Sequence, residues 1–104
     1  MNSRAVRAFV RQLPRTLSNV EDVKQLVRAS DSVGANYIEA NESLSKKDFI
    51  MRIKISRKEA KESRYFLRLV HTDSREAPEA TRAPLVQEAT GLTSIFGAIL
   101  RKSE

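Results

Sequence analysis

Glu59 and Glu62 stand three residues apart in a stretch whose apolar residues recur at helical spacing, so both carboxylates reach one helix face. Paired carboxylates suit general acid–base work or the binding of a metal. The rest of the chain offers them no companions. His71 is the single histidine, so neither a two-histidine metal site nor a metalloprotease motif can be built. The absence of cysteine excludes disulfides, thiol catalysis and thiolate metal sites. No glycine-rich phosphate loop and no G-x-S-x-G elbow occurs. The expectation is a protein that is not an enzyme and holds no metal and no cofactor. His71, at the end of a helical segment, reads as a capping or solvated side chain.

The two glutamates have a structural reading as well. They lie in a strip with Met51, Ile55, Phe66 and Leu69, and carboxylates among apolar neighbours need partners. In the preceding helical segment Arg28, Ser32, Asn36 and Glu39 line one edge of the apolar arc, with Gly34 on its other flank. Arg28 and Asn36 are the right types to serve Glu59 and Glu62. A hydrogen-bonded seam that sets helix register is the favoured reading over a polar site in a cleft. The seam can lie within one chain or between copies.

The cations are grouped rather than scattered. Arg4, Arg7, Arg11 and Arg15 follow 3-4-4 spacing with no acid nearby in sequence. Lys47, Lys54, Lys58, Lys61 and Arg68 share a second face, with Arg57 and Arg64 on its shoulder and Tyr65 interrupting it. A row of cations free of acids tracks phosphates, and an aromatic among them stacks on a base. The net charge of +6 agrees with an acidic partner. No motif reads base edges, so RNA or DNA binding would follow shape and charge. The competing readings are ordinary solvated helix faces, or a scaffold for an acidic surface on another protein.

Four helical segments must position these residues within one domain spanning 1–104. The first runs from about Ser3 to Thr16, carrying Val6, Phe9, Val10 and Leu13, with Pro14 near its end. Its arginine-rich, acid-free composition faintly resembles a transit peptide, but it reads better as a helix of the domain. The second spans about 19–41, opened by a Ser18–Glu21 capping box. The third spans about 46–71, with Ser45 and Asp48 as its start signal. Its stripe of Phe49, Ile53, Ser56, Ala60, Ser63, Leu67 and Val70 steps 4-3-4-3-4-3, the strongest structural signal in the chain. A loop over 73–81 then precedes a fourth helix at about 82–102, with Pro84 in its first turn. No alternating pattern calls for a strand. The fold class is all-α, an antiparallel up-down-up-down four-helix bundle. No apolar run is long enough to span a bilayer, and a cytoplasmic setting is expected.

The segment RASDSVGANYIEANESLSKKDFIMRIKISRKEAKESRYFLRLV, residues 28–70, resembles the bacterial four-helix bundle proteins encoded by intervening sequences within 23S ribosomal RNA genes, also called the S23 ribosomal protein family. The resemblance rests on Ser32, Val33, Asn36 and Glu39, then Ser45, Lys46, Asp48 and Phe49. Glu59 and Glu62 stand where the family's acids on the third helix are expected. The family's I-A-E-G reads Tyr37-Ile38-Glu39-Ala40 here, without the terminal glycine. The resemblance implies a small basic bundle that assembles into rings, typically pentamers. A similar group of accessory proteins in diversity-generating retroelements binds nucleic acid and partners a reverse transcriptase. The extra strip of Met51, Ile55, Phe66 and Leu69 independently predicts a homo-oligomer, because a monomeric bundle helix needs only one broad apolar strip.

Overall fold

The computed structural model describes residues 1–103 as four helices: α1 (Ser3–Arg11), α2 (Leu17–Asn41), α3 (Lys46–Leu69) and α4 (Glu76–Ser103). Each packs on its chain neighbours, and α1 also closes on α4, while α1 and α3 lie on one diagonal and α2 and α4 on the other. Cross-helix bonds of Arg28 to Glu59 and of Asn36 to Arg52 run in opposite senses along α2 and α3, as in an antiparallel pair. The bundle measures 46 × 19 × 19 Å. The expected up-down-up-down architecture is what the chain adopts.

The long stripe of α3 is the spine. Ile53, Ser56, Ala60, Ser63, Leu67 and Val70 are buried, and Phe49 is half-buried. The small residues in its middle admit close approach, and Ser56 Oγ donates across to the carbonyl of Val33 on α2 at 3.2 Å. The core divides into two clusters. Val6, Phe9, Leu13, Leu26, Leu67, Val70, Leu85 and Ala89 form one, drawn from all four helices and the turns that join them. Val33, Ala40, Ile53, Ala60 and Phe96 form the other, from α2, α3 and α4 alone. The reason is length: α1 has nine residues, roughly 13 Å, and covers only one half of its longer neighbours. Tyr37 and Phe96, with ring centroids 5.9 Å apart, bridge α2 and α4 in the half that α1 does not reach.

The helix ends correct the sequence reading in three places. α1 ends at Arg11 rather than Thr16, because Pro14 disfavours helical backbone at Leu13. The chain then turns, and Thr16, not Ser18, is the N-cap of α2: its hydroxyl accepts from the Asn19 amide at 3.2 Å. The Ser18–Glu21 capping box therefore does not form. The expected loop over 73–81 is mostly helix, since α4 begins at Glu76. Asp73 and Ser74 take positive φ values of 57° and 58° and complete the turn in a few residues. Glu76 and Glu79 then favour the first turn of α4 through the helix dipole, and Pro84 falls inside the helix. Arg82 Nη2 donates to the Val70 carbonyl at 2.6 Å, capping α3 from α4. The start of α3 is as expected, with Ser45 Oγ accepting from the Asp48 amide at 3.1 Å.

Candidate nucleic-acid interface

The outward face of α3 is cationic along its length. Lys47, Lys54, Lys58, Lys61 and Arg68 are exposed, and none of them enters an ion pair among the described residues. Arg64 is half-buried and reaches Thr90 Oγ1 on α4 at 3.4 Å. Tyr65 is 60% exposed, and its ring stands edge-on to Phe66 at 5.1 Å and 81°. That contact steadies the exposed ring at the surface of α3. A shallow hollow of about 330 Å³ surrounds it, walled by Lys61, Arg64, Arg68 and Leu69.

Arg57 departs from this outward face. It folds towards α4 and packs over Gly97, beside Arg101. Lys54, Arg57, Lys58 and Lys61 from α3 and Gly97, Leu100 and Arg101 from α4 line a groove of about 450 Å³. Arg101 was not legible as part of this surface, because nothing in its sequence neighbourhood ties it to a residue more than forty positions earlier.

The arginines of α1 form a separate surface. Arg4 and Arg11 are exposed; Arg15, expected on the same helix, is exposed in the turn past its end; and Arg7 is engaged. Its Nη1 and Nη2 donate to Asp31 Oδ1 and Oδ2 of α2 at 2.9 and 2.8 Å, a bidentate pair that corrects the reading of an acid-free row. The hydrogen bond from Arg7, with a lesser one from Ser3, holds the Asp31 carboxyl down at about 2. Because α1 and α3 occupy one diagonal of the bundle, the two basic rows face away from each other.

The polar seam lies inside the protomer. Arg28 Nη1 donates to Glu59 Oε2 at 3.3 Å and Nη2 to Glu62 Oε2 at 2.7 Å. Glu59 is only 5% exposed, so the guanidinium is what keeps its carboxylate compatible with burial. Asn36 does not serve these glutamates. Its Nδ2 donates to the Ser32 carbonyl and hydroxyl at 3.0 Å each, and its Oδ1 accepts from Arg52 at 3.1 Å. Arg52, which sequence reasoning passed over, is therefore the residue that fixes Asn36. Glu39 is exposed and stands outside the seam. His71 is also exposed, and its backbone rather than its ring is engaged, through Asn19. Among the described residues no set of three or more His, Asp or Glu side chains is placed to hold a metal.

The second apolar strip of α3 is interrupted. Met51 and Leu69 are 45% and 43% exposed, Ile55 and Phe66 half-buried, and the Arg28 ion pairs occupy the middle. Phe66 also packs against the core cluster beneath α1. Tyr37, Ile38 and Ile95 add exposed apolar surface on α2 and α4, in the half of the bundle that α1 leaves uncovered. Among the described residues no helix is long and apolar enough to cross a membrane.

One family model, described as 23S rRNA-intervening sequence protein, matches residues 2–94. The match takes in α1, α2, α3 and most of α4, well beyond the segment over which the resemblance was legible. No curated protein and no solved structure matches the chain.

Proposed function

The chain belongs to the 23S rRNA-intervening sequence protein family, and from that membership we propose that it is a non-catalytic, cytoplasmic, RNA-associated homo-oligomer that holds RNA by its phosphates along the outward face of α3. The observation that carries this reading is the set of five exposed cations, Lys47, Lys54, Lys58, Lys61 and Arg68, none of them neutralised by a carboxylate of the described chain. Tyr65, exposed and held edge-on by Phe66, offers a stacking platform on the same face. Recognition by charge and stacking selects accessible backbone and unpaired bases rather than a sequence.

The exposed apolar ends of the α3 strip, Met51 and Leu69, support assembly of several copies. A ring of five is the form that the family resemblance implies.

Binding to a uridine oligonucleotide and to structured RNA tests the reading, measured by fluorescence anisotropy across a salt series. Five phosphate contacts on a single strand predict a loss of about 100-fold between 50 and 200 mM salt. Absence of binding at the lowest salt would refute it. Capture of an acidic protein that survives nuclease treatment, with no RNA affinity, would assign the same cations to a protein partner instead.

A further inference from the structure

We propose that the groove between α3 and α4 over Gly97 is a seat for one phosphate of the RNA backbone, gripped by Arg57 and Arg101. The proposal rests on the RNA reading above and locates a specific contact within it. Three guanidinium nitrogens converge there. Arg57 Nε and Nη2 lie 3.4 and 3.6 Å, and Arg101 Nη1 3.4 Å, from the point where a Cβ on residue 97 would stand. Nε and Nη2 form the side edge of a guanidinium, the edge whose two parallel N–H groups match two oxygens of a phosphate.

Among the described residues the pair is uncompensated. Two guanidinium groups that approach one point this closely lie no more than about 7 Å apart and repel one another unless an anion sits with them. Neither Arg57 nor Arg101 enters an ion pair among the described residues, and Lys54, Lys58 and Lys61 on the same walls add charge of the same sign. Arg57 Nε is a buried donor with no hydrogen-bond partner, as are the Nε atoms of Arg52 and Arg82 elsewhere in the bundle. What sets Arg57 apart from those two is the like charge gathered along the groove walls, which an anion entering from outside, met by a small shift of the guanidinium, would offset. A phosphate supplies that anion. The wall contributed by Gly97, Leu100 and Arg101 lies past residue 94, where the family match ends, so family membership by itself does not supply it.

Two variants that remove equal charge from α3 and its neighbour separate a seat from a general field. Arg57→Gln with Arg101→Gln should weaken binding of a uridine oligonucleotide at least tenfold more than Lys47→Gln with Arg68→Gln, although the two lower the salt dependence alike. Arg101→Lys keeps the charge and loses the fork, and should recover less than half of the lost affinity on a logarithmic scale. Gly97→Glu places a carboxylate between the two guanidinium groups and should give the same loss as the Arg57/Arg101 variant, with far-UV circular dichroism unchanged. Equal losses in the two double variants would overturn the seat and leave the RNA reading standing. Wild-type protein that binds no RNA at low salt would overturn both. Inorganic phosphate that binds the wild type at micromolar concentration and fails to compete with the oligonucleotide would also overturn the assignment to a backbone phosphate.

Discussion

Arg7 and Asp31 show how a single contact changes what a basic row can do. On a helical wheel Arg7 is one of four equivalent arginines, and only the packing of α1 on α2 brings a carboxylate to it. The pair also makes stability depend on pH. Asp31 titrates at about 2 in the folded chain, below the ordinary aspartate value near 3.9, so its contribution is complete above that ordinary value and vanishes as pH falls through 2. Both side chains are more than two-fifths exposed, and solvent screening keeps the effect small. Asp31→Asn should lower the urea midpoint at pH 7, and the deficit should shrink steadily between pH 4 and pH 2. A deficit that stays constant over that range would show that the ion pair is not its source. Arg28 illustrates the other outcome at this scale. Its type and its place beside Glu59 and Glu62 were legible from spacing, whereas the choice of Arg52 over the glutamates as partner of Asn36 was not. Several polar side chains of matching type lay within reach, and only the rotation of α3 against α2 selects among them.

At the scale of elements, the long helices were readable because their apolar residues keep register over many turns, and the caps were readable where one candidate stood alone, as at Ser45. Around 12–20 two hydroxyls compete for the N-cap. The decision falls to Asn19, which is 1% exposed and invisible as a signal because asparagine is ordinary near a helix start. Its Nδ2 donates to the carbonyls of Pro14 and His71 at 2.9 and 2.8 Å, and its Oδ1 accepts from the His71 amide at 2.9 Å. One side chain thereby ties the α1–α2 turn to the chain leaving α3. Asn19→Ala leaves three part-buried backbone groups without their partners and should destabilise the bundle by about 1–3 kcal/mol, read by urea denaturation. Hydrogen exchange should rise first in α1 and in the segment after Leu69. A loss below about 0.5 kcal/mol would mean that water replaces the amide without penalty. The early start of α4 was hidden for a related reason. Pro78 pointed to a loop, yet it falls in the first turn of α4, where its missing N–H costs little, and Arg82 bonding to the Val70 carbonyl ties that start to the end of α3.

For the whole molecule, the diagonal placement of α1 and α3 decides that two basic rows make two surfaces rather than one. On the proposed reading, an RNA held on α3 of one protomer would reach the α1 row only by wrapping or through a neighbouring copy. Assembly is tested best at Met51 and Leu69, since Phe66 packs on the core and Phe66→Glu would unsettle the fold itself. Light scattering of the pure protein at micromolar concentration should give a mass several times 11.8 kDa, with fivefold the specific expectation. Met51→Glu with Leu69→Glu should reduce it to the protomer while circular dichroism is preserved. A wild-type mass of one protomer would end the assembly proposal, and an unaffected oligomer in the double variant would move the interface, with the exposed Tyr37, Ile38 and Ile95 surface as the next place to look.

Helix number, order and inward faces were determined by the sequence alone, because hydrophobic periodicity is a local property that each segment carries without reference to the others. The cationic face of α3 was equally local. Tertiary structure decided everything that depends on two segments meeting. It paired Arg7 with Asp31, closed Arg28 on Glu59 and Glu62 within one protomer, and set Arg101 beside Arg57 over Gly97. Charge and hydrogen-bonding groups act over a few ångströms, and residues far apart in the chain come within that range only when the helices have chosen their rotations and their length of overlap.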